Sequence, residues 1–151
     1  MGFTRLFAPA VVAVSLAAAT GCSSTSSESD TTVDPALAAQ SAVVADYVTA
    51  FNDEDVVGVM ATMSPAMDRL PAPIVECEHQ AVFEQTDATL SIDSEADPST
   101  GARAYEVTDA AGEVRDSGAV TFVFVDDGLL NGTTLPLEVG ADFGVDFSAC
   151  A

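Results

Sequence analysis

The chain has no tryptophan, no lysine and a single histidine. Its bases are four arginines, at 5, 69, 103 and 115, against 24 acidic residues. Without a basic patch there is nothing to neutralise a phosphate backbone, so no nucleic-acid partner is expected. One histidine and three widely separated cysteines cannot make a CxxC redox pair or a local zinc knuckle. There is no Ser/His/Asp signature and no glycine loop of the phosphate-cradling kind. The acid clusters Asp53-Glu54-Asp55 and Asp126-Asp127 lack the alternating spacing, central glycine and closing glutamate of an EF-hand loop. No metal and no cofactor are therefore expected. No fixed-period repeat is visible. The apolar run Leu6 to Ala19 is too short for a comfortable membrane span.

What is present divides at Cys22. Before it stand a short start with one base, Arg5, then the apolar run, then Ala19-Thr20-Gly21. That order is the order of a secretory signal. The ending resembles the bacterial lipoprotein signal, in which small residues precede a cysteine that is lipidated and becomes the new first residue. Gly21 and Thr20 suit that motif, and Ala19 stands where leucine is more usual. The resemblance implies a signal peptide over 1–21, a lipid anchor on Cys22, and residence on the outer face of the cytoplasmic membrane. The alternative is an ordinary signal peptide beside a chance cysteine. Residues 23–33 are rich in Ser and Thr and lack apolar periodicity, so 22–33 reads as a lipidated cysteine with a disordered tether. Eleven flexible residues span ~20 Å on average.

Residues 22–151 hold all 24 acids and three of the bases, a formal charge of −21. Two explanations stay open: solubility in an exposed and salty compartment, or a cationic partner or calcium. Residues 34–151 are the length of one domain with a thin core. With Cys22 taken by lipid, Cys77 and Cys150 remain as an even pair in an oxidising compartment, and a bridge between them is expected. It would tie the start of the β half to the C-terminus.

Asp34 before Pro35 reads as an N-cap with proline at the first helical position. Leu37, Val44, Tyr47, Val48 and Phe51 then recur on one helical face. Asp53 or Asp55 caps a second helix carrying Val56, Val59, Met60 and Met63, and Ser64-Pro65 closes it. Met67 and Leu70 allow one more turn, and Pro71 and Pro73 forbid continuation. The period then changes. Residues 80–92 read as a strand with Val82, Ala88, Leu90 and Ile92 on one side, although Glu84 shares it. Asp97 to Gly101 is a turn, Ala102 to Thr108 a second strand, and Asp109 to Gly112 a hairpin connection. Glu113 to Val125 reads as a central strand, with Val120, Phe122 and Phe124 on one face and Thr121, Val123 and Val125 on the other. Asp126-Asp127-Gly128 turns into a last strand, Leu129 to Leu137, and 138–151 reads as irregular.

Helices followed by an antiparallel meander give an α+β class, with N-terminal helices packed on a curved antiparallel sheet. The stretches AVVADYVTAFNDEDVVGVMATMSP and GAVTFVFVDDGLL resemble the opening helices and final hairpin of nuclear-transport-factor-2-like (cystatin-like) cone domains. Leu130 stands where those domains often have an aromatic residue. In plan the chain is also similar to small actinobacterial lipoproteins and to mycobacterial low-molecular-weight secreted antigens. That likeness implies a cell-envelope lipoprotein whose cone is a non-catalytic module for a small apolar ligand or an envelope protein. Tyr47, Phe51, Met60, Met63, Phe122 and Phe124 would line such a pocket, although methionines at helical spacing are more often core filler. The cone family also includes isomerase-like and cyclase-like enzymes. The enzyme alternative here uses His79 as general base beside Glu78. Against it stands a partly exposed histidine at a strand entry with no substrate-positioning motif near it. Asn131-Gly132-Thr133 matches a glycosylation sequon.

Overall fold

The computed structural model describes residues 34–68, 70–125 and 128–151. The proposed signal, Cys22, the tether and the Asp126-Asp127 pair lie outside the described residues. Over the described residues the fold is α+β: four α-helices and a three-stranded antiparallel sheet.

Helix α1 is Pro35–Asn52, and the Asp34 carboxylate accepts from the Ala36 amide at 2.9 Å, satisfying one of the free first-turn donors. Val44, Tyr47 and Phe51 are buried along its inner face as the spacing requires. Leu37 is not: it stands exposed near the start of α1, before that face reaches the core. Helix α2, Val56–Ala61, buries Val59, and Asp55 stands at its N-cap without a side-chain cap bond. Gly58 holds the α1 crossing close, since a Cβ there would lie 3.0 Å from that of Ala50.

The next element differs from the reading of the sequence. Pro71 and Pro73 start a helix instead of barring one. Helix α3 is Ala72–Gln85, with Pro71 at the N-cap and Pro73 inside the first turn, where no amide donor is needed. Val75, Glu78, His79 and Val82 recur at helical spacing and are buried together. The even-step pattern over 80–92 is therefore a strand only over β1, Thr89–Ile92. Glu84 lies on the exposed side of α3, which removes its conflict with a sheet interior.

Strand β2, Arg103–Thr108, is the central one, between β1 and β3, Val114–Val120. Leu90 pairs with Val107 and Ile92 with Tyr105, and Arg103 pairs with Val120. Arg103, Tyr105 and Val107 thus share the face toward the helices. Gly112 takes φ +77° in the β2–β3 connection. The expected central strand to Val125 stops at Val120 because its partner runs out at Arg103, just after the Asp97–Gly101 turn. Beyond it, among the described residues, the chain makes isolated bridges: Phe124 with Leu130, and Met63 with Leu130.

Of the expected last strand, Leu129 to Leu137, only the Leu130 bridges remain, and its end opens a helix. Helix α4 is Leu135–Phe143, with Pro136 again in the first turn and Gly144 closing it at φ +73°. A short 3-10 helix, Ser148–Cys150, follows, so the tail is regular where irregular chain was expected. The core gathers Tyr47, Phe51, Val59, Val75, Val82, Leu90, Val107, Leu130, Leu135 and Val139 between helices and sheet.

Candidate functional site

His79 is fully buried. Its Nδ1 lies 2.7 Å from the Val75 carbonyl oxygen, one turn back along α3. A carbonyl only accepts, so Nδ1 carries the proton and donates. Nε2 is then the acceptor, and the Tyr47 hydroxyl of α1 donates to it at 3.0 Å. Both ring nitrogens are used. Burial drives the imidazole down to a pKa of about 4, against a weaker upward pull from the Val75 carbonyl. The imidazole is neutral at pH 7. Burial, with the Glu138 charge adding to it, raises the Tyr47 phenol far above its ordinary value. Phe51, Phe83 and Phe122 close around the pair, with ring centroids between 5.2 and 6.3 Å.

Glu78 is adjacent in sequence but not part of that pair. Its Oε2 is buried with no hydrogen-bond partner among the described residues, and burial raises its pKa. The structure does not join Glu78 to His79 by any hydrogen bond among the described residues. The chemistry available to His79 is that of a packed, neutral, doubly bonded ring.

The residues expected to line a pocket are core. Tyr47, Phe51, Met63 and Phe122 are buried, and Met60 and Phe124 pack against them. None of the six borders either of the clefts described below. Cys77 and Cys150 do form the disulfide, with Cα atoms 5.6 Å apart. Cys77 belongs to α3 rather than to the start of a β half, so the bond joins that helix to the terminal 3-10 helix. The Asn131 sequon is occupied by structure: Asn131 is buried, accepts from the Asp68 amide at 2.8 Å and donates to its carboxylate at 2.5 Å.

Concave surface lies elsewhere. A cleft of about 490 Å³ crosses the solvent side of the sheet over Ser91, Ala104, Glu106 and Ser117. A larger one, about 770 Å³, opens between the first turns of α1 and the β1–β2 connection. Leu37, Ala38, Ala96 and Pro98 give it apolar walls, and Ser41 and Arg103 stand at its inner side. The connection is braced by Asp97, whose Oδ1 accepts from the Ser99 and Thr100 amides at 2.8 and 2.9 Å. The Ser99 hydroxyl first, then those two amides and the Thr100 hydroxyl, hold the Asp97 carboxyl down to about 2. Gly101 then reverses the chain at φ +71°.

Arg103 is the residue the reading of the sequence passed over. It is only 6% exposed. Nη1 donates to the Asp93 carbonyl at 3.0 Å and to the Ser94 carbonyl, and Nη2 donates to the Ser41 hydroxyl at 3.1 Å. All three acceptors are neutral. Among the described residues the one ion pair is Arg115 with Asp109, at 3.5 Å. The signal for Arg103 was the alternation Arg103, Tyr105, Val107, which puts a cation on the inner face of a strand in a chain almost free of cations.

Comparison with protein-family models, curated proteins and solved structures finds no match to this chain.

Proposed function

We propose that this is a lipid-anchored cell-envelope protein, held on the outer face of the membrane through Cys22, and a non-catalytic module that binds a small apolar ligand. The observation that carries the binding reading is the cleft between α1 and the β1–β2 connection, about 770 Å³ and walled by Leu37, Ala38, Ala96 and Pro98. Leu37 is an apolar side chain left largely exposed on a helix whose other large apolar residues are buried or half-buried.

The finer fold proposal is a cone of the nuclear-transport-factor-2-like kind. In its support, α1 and α2 precede the sheet and α1 packs on β1. Its interior here is packed with the Tyr47–His79 pair and its aromatic neighbours, so ligand binding is assigned to the cleft and not to the cone. The same packing leaves a His79-based enzyme without a place for substrate.

Two experiments test the proposal. Cys22→Ser is expected to move the protein from the membrane fraction to the soluble fraction; unchanged fractionation refutes the anchor. Small apolar compounds are expected to raise the melting temperature, and Ala38→Trp, which fills the cleft, is expected to remove that shift. Shifts unaltered by Ala38→Trp would place the ligand elsewhere.

A further inference from the structure

We infer that the ligand of the α1 cleft is a small monocarboxylate with an apolar body, and that Arg103 receives its carboxylate. This rests on the cleft being a ligand site and goes on to name the chemistry it selects.

Arg103 is a buried cation with no carboxylate partner among the described residues, in a chain of 24 acids. A buried charge is costly unless paired, and in a chain this acidic a partner was easy to supply. Instead the Asp93 and Ser94 carbonyls and the Ser41 hydroxyl fix the guanidinium in place. These bonds position the group without neutralising it. A guanidinium has more N–H donors than these three bonds use, and its planar fork matches the two oxygens of a carboxylate. Arg103 and Ser41 border the cleft together with the apolar walls.

The charge balance decides the kind of anion. One guanidinium compensates one negative charge. Glu95 and Asp97 also border the cleft and outnumber that one cation, so an anion is held only where its charge meets the guanidinium fork directly, and any further charge is opposed. Asp97 is held ionised by the bonds that brace its own loop, so it is already spoken for as a repelling charge. A dianionic phosphate is disfavoured by the same count, and a polyanion more so. The apolar walls take the body of the molecule, and each methylene removed from water adds to the affinity. The result is selection for a singly charged, short-chain amphiphile over both its neutral and its doubly charged analogues.

The test uses the full chain titrated by calorimetry with octanoate, octanol and octyl phosphate, on the natural protein and on Ala38→Trp and Arg103→Lys. Octanoate is expected to bind about tenfold or more tightly than either analogue, which is about 1.4 kcal/mol. Ala38→Trp is expected to abolish binding, and Arg103→Lys, which keeps the charge but not the fork, to erase most of the preference. Octanol binding as tightly as octanoate, with both lost in Ala38→Trp, overturns the role of Arg103 and leaves the apolar cleft standing. No binding of any of the three, or binding indifferent to Ala38→Trp, overturns both. If Arg103→Lys does not fold, the comparison of octanoate with octanol on the natural chain decides the question alone.

Discussion

His79 ties protonation to stability. Its imidazole titrates near 6.5 when unfolded and at about 4 in the fold, so the folded state binds fewer protons between those values. The contribution is complete above the unfolded value and is lost as pH falls toward 4. Below that the loss from this residue reaches about 3 kcal/mol. Glu78 acts with the opposite sign, because burial raises its carboxyl and the folded state holds that proton more tightly. Urea unfolding at pH 7 and pH 4.5 should therefore be compared between the natural chain and His79→Phe. The variant is expected to be weaker at pH 7 by about 1–3 kcal/mol, because the Tyr47 hydroxyl loses its acceptor. It is also expected to lose less stability on acidification. An equal loss in both proteins would show that His79 is not buried neutral. Asn52 offers a second residue-scale test. Its side chain accepts from the Leu90 amide at 2.8 Å and donates to the Leu90 carbonyl at 2.9 Å, pairing the free edge of β1 as a neighbouring strand would. Asn52→Ala is expected to cost about 1–2 kcal/mol in thermal unfolding. A change within error would mean that water replaces both bonds at no cost.

At the scale of elements, the packing of the C-terminal region carries the firmest tests. Glycine inside a helix normally costs stability relative to alanine. Gly140 in α4 is an exception, because a Cβ there would lie 2.3 Å from the Phe147 ring. Gly140→Ala is therefore expected to destabilise by about 1–3 kcal/mol. Adding Phe147→Leu is expected to return part of it, and a stabilised single variant would contradict the contact. The Cys77–Cys150 bond closes a separation of 73 residues, for which loop entropy assigns about 4 kcal/mol. Reduction is expected to lower the denaturant midpoint accordingly, and two titratable thiols in the native oxidised protein would refute the bond. Elements are also where the sequence misled. Asp34-Pro35, the α1 periodicity and the Asp109–Gly112 hairpin were legible because cap, period and turn chemistry agreed. Pro71-Ala-Pro73 and Leu135-Pro136 were not, since the same residue that ends a helix also begins one. Val82 fitted a strand period with Leu90 equally well as a helical period with Val75, and only packing separates the two readings.

For the whole molecule, the candidate site was legible in part. An exposed Leu37 on α1 and an inward Arg103 on β2 are both visible in the sequence, but their meeting depends on how the Asp93–Gly101 connection folds back to α1. The six aromatic and methionine residues expected to line a pocket were recognised as one apolar group. Whether such a group encloses space or fills it is decided by packing, and here they fill it. The acidity of the chain gives Arg103 its weight, since it is buried without a carboxylate partner among the described residues of a chain with 24 acids. The most direct test of a ligand-binding envelope protein is native mass spectrometry of the full chain recovered from its own membrane fraction. The expected result is a discrete added mass beyond the proposed lipid at Cys22, small, singly acidic, and missing from Ala38→Trp. A protein carrying only its lipid, in both forms, would contradict the binding role.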